Sequence, residues 1–246
     1  KAGNGADTFD DITFKDSAAI KIEATSVAND ADGDLFLDTT GSDNTVGGDL
    51  SLTAVTGNIT QAGALTVTGT STFTTSANNA TITLNQDNAF TGAVALNTTG
   101  GSANAAVTDA ASLALAQSTV GGTLTGTATT GNITQTGVLT VTGTSAFTTT
   151  ANSSNIILDQ ANAFSDAVTL KAGDGTVAFA NITFKDSAAI KIEDTAGNAD
   201  TNGDLFLNAG TDNAVGGNLS LTAVTGDITQ AGALTVAGTS AFTTTA

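Results

Sequence analysis

Few residues in this chain could do chemistry. Histidine, cysteine, arginine and tyrosine are absent, and all six cationic residues are lysines. Nucleophilic and acid–base work would fall to Asp, Glu, Lys, Ser and Thr. Three acidic clusters stand out. Ala2-Gly-Asn-Gly-Ala-Asp7-Thr-Phe-Asp10 follows the calcium nonapeptide Gly-Gly-x-Gly-x-Asp-x-apolar-x, with Asp7 as the ligand. That motif must recur in successive turns, and the related stretch further on carries Val177 in its place. Asn198-Ala-Asp200-Thr-Asn202-Gly203 opens like an EF-hand loop, but its twelfth position is Ala209 instead of the bidentate Glu. Asp10 and Asp11 form a carboxylate pair of the kind glycosidases use. Their counterparts are Ala180 and Asn181, so a solvated turn explains them more simply. Asp7, Asp200 and Asn202 therefore remain as calcium candidates with incomplete motifs. The expectation is no enzyme and no cofactor.

The elements that would position these residues are repeats. Gly57-Asn-Ile-Thr-Gln-Ala-Gly-Ala-Leu-Thr-Val-Thr-Gly-Thr-Ser-Thr-Phe-Thr-Thr75 recurs, with small substitutions, at residues 131–149 and 226–244. The first isoleucine falls at Ile59, Ile133 and Ile228, spacings of 74 (133 − 59) and 95 (228 − 133) residues. Residues 1–77 recur as 171–246, and residues 45–101 recur at 119–175. No change of composition marks a boundary. Residues 1–246 are expected to form one continuous segment, and its repeated blocks point to a longer repeat protein.

Thr and Val favour strands, while Gly, Asn and Asp favour turns. Ile12-Thr-Phe14, Ile20-Lys-Ile22 and Leu50-Ser-Leu52 alternate apolar with polar, the pattern of a strand with one buried face. An apolar share of 40% can supply a core. The spacings divide into units of about 24 to 25 residues, each holding three short strands. The expected fold is all-β: a right-handed parallel β-helix (solenoid) of about ten coils. A β-sandwich, or an array of small sandwiches, is the competing architecture. The inward core should hold Ile59, Leu65, Val67 and Phe73, then Ile133, Leu139, Val141 and Phe147, then Ile228, Leu234, Val236 and Phe242. Thr66 and Thr68 should face outward. Alternation in Leu35-Phe36-Leu37 and Leu205-Phe206-Leu207 puts Phe36 and Phe206 outward as candidate interaction residues.

The net charge of −17 opposes phosphate and anionic membrane surfaces. No nucleic acid is expected, and no membrane insertion, because no apolar run approaches the roughly 20 residues of a spanning helix. The Gly-Asn-Ile-Thr-Gln-x-Gly-x-Leu-Thr-Val-x-Gly-Thr-x-x-Phe pattern at 57–73 and 131–147, and with Asp227 at 226–242, resembles the repeats of filamentous-haemagglutinin-like large exoproteins of Gram-negative bacteria. The segment Asn78 to Leu96 resembles them too. The resemblance implies an extracellular or cell-surface β-helix, an adhesin or its shaft, exported by a two-partner type of route. Its partners would be other segments or copies of the same fibre and a host or matrix glycan or protein. A polysaccharide-binding or -cleaving β-helix and a receptor-free self-assembling filament are the rival functions.

Overall fold

The computed structural model describes residues 11–23, 34–37, 44–173, 180–193, 203–207 and 213–245. Twenty-seven strands and no helix are found among them. The strands pair in parallel throughout. They form one 12-stranded sheet, one 13-stranded sheet and a two-stranded pair, in the stacked arrangement of a β-solenoid. The main path of the 12-stranded sheet crosses ten strands, from Ile12–Asp16 to Ser240–Thr244. Nine steps at the strand spacing of about 4.8 Å give a body roughly 43 Å long.

Alternation in sequence becomes alternation in burial. Leu50–Ala54 packs Leu50, Leu52 and Ala54 inward, with Ser51 and Thr53 outward. A single coil cannot bury its inward residues, so each rung depends on the next. Leu50 lies under Ser71, and Leu52 under Phe73. One continuous apolar core runs from Ile20 to Ala223.

The turn is less regular than one unit length predicts. Bonds between neighbouring rungs link residues 19 apart at Thr123 and Asn104, 23 apart at Thr81 and Asn58, and 26 apart at Asn181 and Asn155. They link residues 38 apart at Asp49 and Asp11, and 37 apart at Asn218 and Asn181. The long steps each hold an extra strand. Asp34–Leu35 lies beside Ile20–Ile22, and Asp204–Leu207 is inserted between Val168–Lys171 and Ile190–Ile192.

The copies at 74 and 95 residues are not whole numbers of turns. The strand Ile59–Gln61 lies in the 13-stranded sheet, Ile133–Gln135 in the 12-stranded sheet, and Ile228–Gln230 in the 13-stranded sheet again. Each copy is therefore displaced onto the other face. The longer block is in phase: Ile12–Asp16 and Ile182–Asp186 share a sheet, seven steps apart.

Candidate functional site

The chemistry-bearing residues are arranged as ladders along the stack. The first runs along one corner. Ser112 Oγ accepts the Asn132 N–H at 3.1 Å, and Asn132 Oδ1 accepts the Asn155 N–H at 2.7 Å. Asn155 Oδ1 accepts from Asn181 N–H at 2.7 Å, and Asn181 Oδ1 from Asn218 N–H at 2.7 Å. Asn218 Oδ1 closes the series on the Thr239 N–H at 2.8 Å. Asn is favoured at turns because its side chain can replace a backbone acceptor there. Here it does so for the rung above, so six successive rungs are tied through side chains.

The second ladder is internal. Asn88 and Asn162 are fully buried. Asn162 Oδ1 accepts from the Leu139 N–H and the Gln135 amide, both at 2.9 Å. Its Nδ2 donates to Gln135 Oε1 at 3.0 Å and to the Lys185 carbonyl at 3.1 Å. Asn88 repeats this with Leu65 N–H at 2.9 Å, the Gln61 side chain and the Thr108 carbonyl. Asn44 and Asn213 form a further pair, accepting from Leu37 and Leu207 N–H and donating to the carbonyls of Glu23 and Glu193. A buried amide with its groups satisfied fixes backbone, whereas an unsatisfied one would be costly.

Two interior carboxyls lie on the same ladder. Asp109 pairs in register with Asn88, and Asp186 with Asn162. Burial pushes both above the ordinary carboxylate range, against the backbone N–H groups they accept from. For Asp109 those donors are Ala111 at 2.7 Å and Phe90 at 2.9 Å. Lys21–Glu23 and Lys191–Glu193 are ion pairs whose carboxylates are buried.

The structure places the residues singled out from the sequence unevenly. Asp7, Asp200 and Asn202 lie outside the described residues. Among the described residues, no group of three or more His, Cys, Asp or Glu could hold a metal ion. Asp11 is exposed and accepts the Asp49 N–H at 2.8 Å. Ile59, Leu65, Val67, Phe73, Ile133, Leu139, Val141 and Phe147 are fully buried. The third set departs from expectation. Ile228, Leu234 and Val236 are only half-buried and Phe242 is 49% exposed, because no further rung in this structure stacks on theirs. Phe206 also departs: it is 6% exposed instead of outward-facing. Its strand is interior to the sheet, between Val168–Lys171 and Ile190–Ile192, so alternation alone does not expose it. Phe36 is half-buried at the opposite end of that sheet, beside Phe14 and Leu37. Thr66 is half-buried and Thr68 exposed.

Sequence reasoning passed over Asn88, Asn162, Asn44 and Asn213, because Asn reads as a turn residue. The available signal was its recurrence inside Asn88-Ala-Phe90 and Asn162-Ala-Phe164.

A family of repeats of unknown function (DUF5649) matches residues 10–97, 102–171 and 201–246. The chain belongs to it. The DUF5649 repeats of this chain are thus coils of a β-solenoid whose polar ladders run from rung to rung. Neither a curated protein nor a solved structure matches the chain.

Proposed function

We propose that this chain is part of the shaft of a bacterial cell-surface or secreted fibre, serving adhesion or matrix structure without catalysis. One observation carries this reading: the strand ladder and core continue through the stack, and the same faces return after seven steps. Such a body grows in length with each block and holds its two ends apart. The resemblance of its Gly-Asn-Ile-Thr-Gln repeats to large exoproteins supports a surface location. The buried carboxylates of Asp109, Asp186, Glu23 and Glu193 favour a mechanical over a catalytic reading, since each is occupied by backbone donors or a lysine.

The test is an in-phase deletion in the protein as its cells make it. Removing residues 12–181 takes out one seven-step block and joins Phe9-Asp10-Asp11 to Ile182. Electron microscopy should show fibres shortened by roughly 34 Å per block, from seven strand spacings. Attachment of the cells should persist. Lost attachment with unchanged surface display would favour a binding role for the block itself. Failure of antibodies to label the protein on intact cells would overturn the surface reading.

A further inference from the structure

The two long steps of the stack carry the same three charged residues. In the second of them, Lys191 is the register partner of Asp204, and Ile192 that of Leu205. Ile192 and Leu205 belong to the apolar core. Strand alternation therefore puts Lys191, Glu193 and Asp204 together on the other face of the sheet. Neighbouring strands lie about 4.8 Å apart, so the lysine and aspartate side chains rise side by side. The Glu193 N–H extends the same ladder to the Leu205 carbonyl at 3.1 Å. Glu193, Asp204 and the adjacent Phe206 are all buried.

Glu193 differs from the other interior acids. Asp109 and Asp186 accept from backbone N–H groups. Among the described residues, neither carboxylate oxygen of Glu193 has a backbone N–H to accept from. Its contact is the Lys191 ammonium. Burial disfavours charge on both partners of such a contact, and passing the proton from nitrogen to oxygen removes both charges at once. What remains is a neutral amine, which is a nucleophile. The carboxyl across the strand pair from it is that of Asp204.

We propose that Lys191 and Asp204 condense into an intramolecular amide, with Glu193 as the acid–base group. Glu193 takes a proton from the Lys191 ammonium and passes it to Asp204. The Nζ lone pair then attacks Asp204 Cγ. A second proton travels from nitrogen through Glu193 to the departing oxygen. The Nζ–Cγ bond forms, one Cγ–O bond breaks and one water leaves, with nothing oxidised or reduced. Enclosure keeps out the water that would reverse the step. The product ties the inserted strand Asp204–Leu207 to Ile190–Ile192, whether or not the chain serves in a surface fibre. Lys21, Glu23 and Asp34 repeat the register and the ion pair in the first long step. Asp34 is only half-buried there, so the bond is assigned to Lys191 and Asp204 alone.

The experiment is mass spectrometry of the intact purified chain and of its proteolytic fragments. The folded chain should be lighter than its sequence by one water, with a branched fragment that joins Lys191 to Asp204. Asp204→Ala should restore the full mass. Glu193→Gln keeps both reacting groups and the side-chain size but removes the proton acceptor. It too should hold the full mass, while hydrogen-exchange protection of residues 50–173 stays intact. Full mass in the folded parent chain would overturn the proposal and leave an ion pair only, and that measurement does not depend on how any variant folds. A link from Lys191 to Glu193 in place of Asp204 would overturn it as well. So would a Glu193→Gln chain that still loses the water, since a purely structural Glu193 would leave the bond in place.

Discussion

The ring of Phe147 meets that of Phe164 edge-on at 6.1 Å, and Phe164 in turn stacks on Phe184 at 5.7 Å. The three residues belong to three successive rungs, so the aromatic column is built by stacking and by no single turn. Edge-on and offset pairs are the favoured geometries for aromatic rings. The polar counterpart of this column is the asparagine ladder beside it, and together they determine which substitutions the solenoid tolerates.

Asn162→Ala should be among the most damaging single changes. It strands the Leu139 N–H and the Lys185 carbonyl in the interior and unhitches Gln135. Each buried orphan costs about 1 to 3 kcal/mol, so a loss of about 3 kcal/mol is expected. Urea unfolding followed by circular dichroism measures it. A loss under about 1 kcal/mol would mean that water replaces the amide and that the ladder is not a stabilising element.

Close approach of backbones at the corners makes certain glycines irreplaceable. A Cβ on Gly92 would lie 2.2 Å from the Gly69 carbonyl oxygen, which belongs to the rung below and cannot move aside. Gly92→Ala should cost about 1 to 3 kcal/mol, the range of overpacking. Gly101 has nothing within 4 Å of such a Cβ. Gly101→Ala should stay within about 1 kcal/mol of the parent, on the stabilising side if the unfolded chain loses freedom. Equal melting temperatures for the two variants would contradict the stacked-corner geometry.

Much of this architecture was legible in the sequence, for a physical reason. Leu50-Ser-Leu52-Thr-Ala54 alternates because one face of its strand is buried, and the copies at 124–128 and 219–223 bury the same positions. The displacement of the 74-residue copy onto the other sheet was not legible, because sequence similarity reports which residues pack inward and not where around the axis they lie. Interior asparagine was illegible too. Asn88 satisfies backbone groups of the rungs on either side of it, and those partners are 20 and 23 residues away in the chain. Phe206 shows the same limit. Its exposure depends on the strands to either side, and a chain that doubles back to insert Asp204–Leu207 gives it neighbours that alternation does not foresee.

Mild acid should stabilise the fold. Burial raises the Asp109 and Asp186 carboxyls in the folded state above the ordinary value of 3.8. Between that value and the raised one, the folded chain holds more protons than the unfolded chain. Stability therefore falls as pH rises through this window, and the full penalty is present above it. The melting temperature should climb as pH is lowered from 7 toward about 4, with no further gain from these groups below 3.8. Asp109→Asn/Asp186→Asn should flatten that climb. Asp159→Asn/Asp227→Asn removes the same charge from exposed positions and should leave it. Identical pH profiles for the two double variants would show that the buried carboxyls do not set the climb.

The sharpest test of stacking uses two identical pentapeptides. Ser145-Ala-Phe-Thr-Thr149 and Ser240-Ala-Phe-Thr-Thr244 have the same sequence and are both parallel strands. Both rest on a preceding rung: Phe147 on Gly126, and Phe242 on Leu221. The difference lies in the rung on the other side. Phe147 is covered by Leu170 and is fully buried, whereas Phe242 is uncovered and 49% exposed. Local propensity is the same at both sites, so the difference between Phe147→Ala and Phe242→Ala reports the stacked neighbours: the covering rung at Phe147, set against the exchange of Gly126 for Leu221 beneath. Truncating a buried phenylalanine costs about 3 to 5 kcal/mol. At Phe242 roughly half of the ring area is already in water, and no sealed cavity can form, so a loss of about 1 kcal/mol is expected. The measurement is paired urea denaturation of the two variants, supported by hydrogen exchange at residues 228–244, where fraying would be local. Equal losses would show that the rungs are stable one by one, and the solenoid would no longer be held together by what each rung lays over its neighbour.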